Sequence, residues 1–247
     1  MIPIAYGDTA RLGVLVPSGN SVAEIELRAM LPPEVGMLTT RLALRGSSEP
    51  ELLAMLTDLD KAAELIGHAE PNAIAFHCTA VSTYAPHLAD EIRERITAAS
   101  GRPALATADG ILAALRAFGT RRVLLVTPYI QPVHDREIGY LETQGVAVIG
   151  GSFLGVDTNT EMARIPPAAI ADQVRSTARG VEADLCFISC TAIRSAGLIA
   201  DLEADLGIPV LTSNQVMAWH ALRVLGVSIR VRGFGRLFDA DSKTLGP

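Results

Sequence analysis

Short apolar runs alternate with longer amphipathic stretches along the whole chain. The apolar runs predict strands at residues 11–16, 37–43, 72–77, 103–106, 122–127, 147–150, 183–189 and 209–212. The amphipathic stretches predict helices at residues 21–31, 50–69, 86–99, 133–144, 166–180, 193–206 and 214–225, with a further helix that ends near Gly119. Regular alternation of strands and helices is typical of an α/β protein whose parallel sheets are covered by helices on both faces.

The pattern restarts near the middle of the chain, which indicates an internal repeat. Segments 14–17, 76–81 and 114–119 resemble segments 124–128, 188–193 and 221–226, in the same order. The separation from Pro17 to Cys78 is 61 residues, and that from Pro128 to Cys190 is 62. The repeat predicts two similar, flavodoxin-like lobes, one built from residues 1–107 plus 215–247 and the other from residues 108–214.

Composition excludes several classes of protein. The chain has 247 residues, 49% of them hydrophobic and 19% charged, which is typical of a globular protein and not of a disordered one. A net charge of −6 argues against binding to nucleic acid or to an anionic membrane. No signal peptide and no apolar run of about 18 residues is present, and three cysteines are too few for a disulfide scaffold. We therefore expect a cytoplasmic protein that does not associate with membranes.

Both halves of the chain place a Cys-Thr-Ala segment at the end of a predicted buried strand. In open parallel sheets ligands bind at the carboxyl ends of strands, so Cys78 and Cys190 are expected at a site between the lobes. A free cysteine is more often a small buried apolar residue, and Cys186, within a strand, is expected to be one. The repetition favours a functional role for the other two, with thiol pKa values lowered by nearby backbone N–H groups.

Loops that follow the first strand of each half supply further polar groups. These loops carry Ser18 and Asn20 in the first half and Tyr129 in the second, while Asn159 lies in a later polar loop. Asn20 fits a substrate ligand and a helix N-cap equally well, and Asn159 by itself reads as a turn residue. His77 points to the opposite face of its strand from Cys78 and is expected to be packed. No metal-ligand spacing, phosphate-binding loop or dinucleotide-binding motif occurs, so no metal or cofactor is expected.

These motifs resemble the aspartate/glutamate racemase superfamily, and within it the branch that contains maleate isomerases and arylmalonate decarboxylases. The resemblance covers nearly the whole chain and rests on segments 16–20, 127–129 and 157–159, the two Cys-Thr segments and the closing segment 235–239. It implies two pseudo-symmetric lobes, catalysis without a cofactor and an active site between the lobes. It also implies a small mono- or dicarboxylate substrate and assembly into a homodimer or a higher homo-oligomer.

The resemblance to maleate isomerases implies a role for each candidate residue. Cys78 and Cys190 would be catalytic. The substrate would be bound by Ser18, Asn20, Thr79, Ala80, Tyr129, Asn159, Thr191 and Ala192. The implied activity is cis-trans isomerisation of a dicarboxylate, in which the Cys78 thiolate adds to the alkene and Cys190 serves as its acid–base partner.

Three other functions use the same residues. A racemase would use the two cysteines as base and acid on opposite faces of a carbon acid. A decarboxylase of substituted malonates would use Cys190 as the proton donor, but such decarboxylases keep only the second cysteine, so Cys78 argues against that activity. A binding or sensor protein for a dicarboxylate would bind its ligand without turnover.

Overall fold

Two parallel four-stranded sheets form the framework of the protein in a computed structural model that describes residues 4–46, 48–228 and 231–240. The first sheet has the strand order β2-β1-β3-β4 and the second the order β6-β5-β7-β8. The strands are β1 Ala10–Pro17, β2 Val35–Leu42, β3 Ala73–Phe76, β4 Ala104–Ala106, β5 Arg122–Thr127, β6 Ala147–Phe153, β7 Leu185–Ile188 and β8 Val210–Thr212. The second sheet thus repeats the topology of the first, as the internal repeat predicts.

Helices cover the faces of both sheets. They are α1 Ala23–Met30, α2 Glu49–Ala54, α3 Leu59–Gly67, α4 Thr79–Ser82, α5 Leu88–Ser100, α6 Thr107–Ala117, α7 Gln131–Thr143, α8 Asn159–Met162, α9 Pro167–Thr177, α10 Ile199–Leu206, α11 Ser213–Val224 and α12 Leu237–Ala240, with a 3₁₀ turn at Ala196–Leu198. None of the helices in the described part of the chain has both the length and the apolar character needed to cross a bilayer.

The central strands are buried on both faces, as the unbroken apolar runs predict. Leu12, Val14 and Val16 of β1 face a core that α1, α6 and α11 complete, and residues of β5 and β7 join the same core. Leu15 faces the opposite core, which contains α3 and α5 together with residues from the second sheet. Both cores therefore run across the two sheets, and this places the carboxyl ends of β3 and β7 near each other.

A glycine allows α6 and α11 to pack closely. A Cβ atom on Gly110 of α6 would lie only 2.8 Å from the carbonyl oxygen of Val216 in α11. Glycine in the interior of a helix usually destabilises that helix. The close contact with α11 explains why glycine nevertheless occupies position 110. The close approach of these helices, which begin directly after β4 and β8, links the two halves of the molecule.

The structure corrects two predicted helices. The helix predicted at residues 50–69 is divided into α2 and α3, because the chain turns at Thr57 and Asp58, two residue types that favour turns over helix interiors. Leu53, which an amphipathic helix over residues 50–69 would bury, is 41% exposed. The helix predicted at residues 193–206 begins later, with the 3₁₀ turn and α10, because residues 193–195 continue the loop after Cys190. The short helices α4, α8 and α12 were not predicted from the pattern.

Candidate active site

A narrow, largely enclosed cavity with a free volume of only about 10 Å³ lies between the carboxyl ends of the two sheets. Its lining comprises Pro17, Leu44, Gly46, Leu52, Cys78, Thr79, Ala80, Tyr129, Asn159, Met162, Cys190 and Thr191. Both repeat-related cysteines therefore face one cavity, together with five of the residues predicted to bind substrate. No Asp, Glu, Lys, Arg or His is among these lining residues, so neutral donors must bind any anionic ligand.

Cys78 lies immediately before α4, the four-residue helix that follows β3. Its backbone is extended, with φ −145° and ψ 111°, which is the usual conformation of a helix N-cap. The backbone N–H groups of Val81 and Ala80 face its sulfur and act to lower the pKa of the thiol. The Cys-Thr-Ala segment thus positions two amide donors beside the sulfur.

Cys190 follows β7 in the same way but has a strained backbone, with a φ of 143°. A positive φ is uncommon in a residue that carries a Cβ atom, and such strain persists only where the surroundings hold the chain in place. The Cys190 N–H donates to Ser213 Oγ at 3.0 Å, and the Ala192 N–H donates to Cys190 Sγ at 3.2 Å. These bonds orient the sulfur toward the cavity.

The expected lowering of the thiol pKa values is wrong for the enclosed site that the structure describes. Burial raises the pKa of Cys78 and the pKa of Cys190 to about 12, and the nearby N–H groups offset only part of this effect. Desolvation disfavours the charged thiolate more strongly than a few amide dipoles favour it. Both cysteines are therefore thiols in this state of the protein.

Ser213 connects the two cysteine segments and was missed by the sequence analysis. Its hydroxyl oxygen accepts a hydrogen bond from the Thr79 hydroxyl at 2.8 Å as well as the one from the Cys190 N–H. Ser213 begins α11 directly after β8, at the carboxyl end of the strand next to β7. That position is the signal that could have identified it, because all strand ends of a parallel sheet meet at one edge.

Tyr129 lies close to both sulfurs. It follows β5, is 3% exposed, and interacts with both Cys190 and Cys78. Burial raises the pKa of the Tyr129 hydroxyl well above its ordinary value, so the hydroxyl remains protonated and is available as a donor. The same hydroxyl acts to lower the pKa of the Cys190 thiol.

Asn159 presents an unused hydrogen-bond donor to the cavity. Its Nδ2 atom is buried and has no partner among the described protein groups. Its side chain packs on Gly19, where an added Cβ would lie 3.2 Å from Asn159 Cβ. A buried donor without a partner costs free energy unless a ligand satisfies it, so the position favours binding of an acceptor such as a carboxylate oxygen.

Three residues predicted to bind substrate lie outside the cavity lining. Asn20 Oδ1 accepts from the N–H groups of Val22 and Ala23 at 2.9 and 3.0 Å, and its Nδ2 donates to Thr191 Oγ1 at 3.0 Å. Ser18 is exposed and exchanges hydrogen bonds with the backbone of Leu44. Ala192 contributes its N–H to Cys190. In this state Asn20 therefore joins the two halves, and its substrate contact stays a prediction.

His77 is packed in a buried polar network, as expected for a side chain on the other face of its strand. Its Nε2 lies 2.8 Å from Asn214 Oδ1 and its Nδ1 lies 3.2 Å from Thr107 Oγ1. Burial lowers the pKa of His77 to about 4, so the ring is neutral. Asn214 in turn donates to Glu26 at 2.6 Å. The network links α1, α6 and α11 beneath the cavity.

One wall of the cavity is apolar. Leu44, Leu52 and Met162 form it, and the sulfur atom of Met162 lies 3.7 Å from Cys190 Sγ. The sequence analysis did not identify these residues, because apolar side chains in loops and short helices carry no chemical signature. The cavity lining thus combines polar donors with apolar side chains.

Comparison with known proteins places this geometry in a family. A family model described as arylmalonate decarboxylase matches residues 12–238. The chain belongs to the arylmalonate decarboxylase family. The predicted family is thereby confirmed.

Named members of the arylmalonate decarboxylase family differ in activity. A maleate isomerase of Nocardia farcinica is 33% identical over 94% of this chain and 96% of its own length. An arylmalonate decarboxylase of Bordetella bronchiseptica is 30% identical over 94% of this chain and 97% of its own length. The match to the isomerase over nearly the full length supports an isomerase enzyme.

A solved structure of a family member confirms the predicted fold class. It is a cysteine-to-serine mutant of the Nocardia farcinica maleate cis-trans isomerase with a covalently bound succinylcysteine intermediate. It superimposes with a TM-score of 0.85 at 28% identity, over 93% of this chain and 98% of the other. The two-sheet α/β architecture is therefore shared with that enzyme.

Proposed function

We propose that this protein is a cofactor-independent cis-trans isomerase of a small cis-butenedioate such as maleate, and that it works through a thiolate adduct. The observation that carries the proposal is the presence of both repeat-related cysteines in one cavity that also holds an unpaired amide donor. A compact diacid matches the set of neutral donors in the lining, and the cavity has to widen to admit it.

Binding would place one substrate carboxylate against the polar side of the cavity. Asn159 Nδ2 and the Tyr129 hydroxyl supply donors there, and the hydroxyl groups of Thr79 and Thr191 lie alongside. Donors already held in place stabilise the negative charge that develops on the carboxylate during addition, without reorganising at that moment. Because the cavity is enclosed, we expect it to open for substrate entry.

The cycle begins with Cys78 as a thiolate and Cys190 as a thiol. The proton of Cys78 is lost to solvent while the cavity is open, since the closed site favours the thiol. The sulfur of Cys78 then forms a bond to one alkene carbon, and the electron pair of the double bond moves to the other carbon and its carboxylate. The former double bond is now single, and rotation about it becomes possible.

Cys190 donates a proton before the rotation and removes one after it. Its thiol gives a proton to the carbanionic carbon, which produces a succinyl thioether on Cys78 and a thiolate on Cys190. After rotation the Cys190 thiolate removes a proton from that carbon, the double bond forms again, and the bond from carbon to Cys78 breaks. The product is the trans isomer, and both cysteines return to their starting states.

Proton NMR of maleate in deuterated buffer tests the proposal. Wild-type protein is expected to convert maleate to fumarate, and Cys78→Ala is expected to abolish conversion. Full activity of Cys78→Ala would contradict the assignment of the nucleophile. Binding of maleate without turnover would favour a sensor protein, and deuterium exchange into an amino acid would favour a racemase.

A second candidate is decarboxylation of a substituted malonate. The apolar wall of Leu44, Leu52 and Met162 favours it, because such a malonate carries an apolar substituent beside its carboxylates. Cys190 would donate the proton that replaces the lost carboxyl group. Release of carbon dioxide from a phenyl- or alkylmalonate, absent in Cys190→Ala and retained in Cys78→Ala, would support this activity over isomerisation.

A further inference from the structure

A buried carboxyl group lies directly behind the second cysteine. Glu137 of α7 is 2% exposed, and its oxygens lie 2.7 and 2.8 Å from the hydroxyl oxygen of Ser189, the residue before Cys190. A serine hydroxyl has one hydrogen and donates to one oxygen at a time. Burial raises the pKa of Glu137 to about 7, although the Ser189 bond acts to lower it. No cation of the described residues contributes to this shift.

The charge of Glu137 reaches only one of the two cysteines. It acts to raise the pKa of Cys190, by less than burial does, whereas no carboxylate of the described residues shifts the pKa of Cys78. Each sulfur has two donors beside it: two backbone N–H groups at Cys78, and the Ala192 N–H and the Tyr129 hydroxyl at Cys190. Two cysteines at equivalent positions of a repeat thus have unequal electrostatic surroundings.

The repeat provides an internal comparison. Counted from Pro17 and Pro128, Glu26 of α1 occupies the position in the first half that Glu137 occupies in the second. Glu26 accepts hydrogen bonds from the N–H groups of Ser195 and Ala196 and from the amide of Asn214, at 2.6–2.9 Å. It is not among the groups that shift the pKa of either cavity cysteine. Its carboxylate is satisfied by three donors, while that of Glu137 has one.

We propose that Glu137 is a positioning residue that keeps Cys190 in its thiol form while Cys78 serves as the nucleophile. The inference rests on the proposed isomerase, and it explains how two equivalent cysteines acquire different roles. A negative carboxylate behind Cys190 opposes formation of a second negative charge there, so the proton remains on Cys190 until the carbanion takes it. Coulombic coupling of this kind is strong where water is excluded.

Other ionisable groups around Glu137 do not reverse this effect. The charge of Glu137 acts to raise the pKa of Tyr129 in the cavity and of Tyr140, which lies with Glu137 on α7. Burial raises both pKa values further, so both side chains are neutral. Tyr140 also faces Asp109 and Asp90, whose charges Arg93 offsets in part. The carboxylate that acts on Cys190 therefore remains that of Glu137.

Titration of the thiols tests the proposal without reference to turnover. Cysteine labelled with ¹³C at Cβ is followed by NMR against pH in the wild type, in Glu137→Gln and in the matched control Glu26→Gln. Glu137→Gln is expected to lower the pKa of Cys190 by about one unit and to leave that of Cys78 unchanged. Glu26→Gln is expected to change neither. An unchanged Cys190 titration in Glu137→Gln, or an equal shift of Cys78, would overturn the proposal.

A second variant covers the case in which Glu137→Gln does not fold. The double variant Glu137→Met/Ser189→Ala removes the charge together with its hydrogen-bond donor and leaves neither group unpaired, so Cys190 is expected to ionise at lower pH than in the wild type. If the protein isomerises maleate, the alkaline limb of its pH–rate profile should move to lower pH in either variant. If it does not, the thiol titration still decides the role of Glu137, so failure of the proposed function and failure of this inference give different results.

Discussion

Ionisation of Glu137 should make the stability of the protein depend on pH in a defined direction. Burial raises the pKa of this carboxyl from 4.5 to about 7. The unfolded chain therefore releases the proton at lower pH than the folded protein does. Glu137 does not destabilise the folded protein at a pH below its pKa in the unfolded chain. The destabilisation grows as the pH rises from that pKa to the folded pKa, and it is complete above about pH 7.

The pKa difference sets the magnitude. Each pKa unit corresponds to about 1.4 kcal/mol, so the gap between 4.5 and about 7 corresponds to about 3 kcal/mol of lost stability at alkaline pH. Glu137→Gln keeps the size of the side chain and an acceptor for Ser189, and it cannot ionise. The variant should match the wild type near pH 4 and exceed its free energy of unfolding by about 3 kcal/mol near pH 8.

Urea denaturation followed by circular dichroism measures this difference. Wild type and Glu137→Gln are compared at the two pH values, so that contributions from His77, Glu26 and the other carboxyl groups cancel in the difference. Parallel pH dependences of the two proteins would refute the argument, because they would show that the carboxyl group titrates alike in the folded and unfolded states.

Four further substitutions test other parts of the structure. Gly110→Ala should destabilise the protein by about 1–3 kcal/mol through overpacking, whereas Gly139→Ala, at an open helical position, should stabilise it by up to about 1 kcal/mol; urea denaturation checks both. Ser213→Ala should cost about 1–3 kcal/mol and reduce kcat, because the Cys190 N–H loses its partner; equal kcat values would show that this bond does not position the sulfur. Asn159→Ala should raise KM about tenfold without lowering Tm, since the Nδ2 atom has no partner among the described residues, and a lowered Tm with unchanged KM would contradict a binding role.

Much of the framework could be predicted from the sequence, because it depends on local pattern. The bounds of β5 match the prediction at both ends, and every other predicted strand except β6 lies within about two residues of its observed limits. Strand β6 runs three residues beyond its prediction to Phe153, since its Gly-Gly-Ser segment lacks the apolar character of the other strands. The repeated Cys-Thr-Ala segments predicted that Cys78 and Cys190 lie at one site, because the equivalent strand ends of the two halves come together.

Features that depend on three-dimensional surroundings could not be predicted in the same way. The thiol pKa values are raised because the cavity excludes water, and no local sequence motif indicates how completely water is excluded. Ser213 and Glu137 lie 23 and 53 residues from Cys190, so their contacts appear only when α11 and α7 pack beside β7. The dual role of Asn20, which caps α1 and bonds to Thr191, likewise needed the positions of both halves.

Trapping of the covalent adduct tests the central claim most directly. Cys190→Ser is incubated with maleate, denatured, digested and examined by mass spectrometry. The peptide containing Cys78 is expected to gain the mass of one maleic acid, and Cys186 is expected to remain unmodified. An unmodified Cys78 under conditions in which the wild type produces fumarate would contradict the thiolate-adduct mechanism.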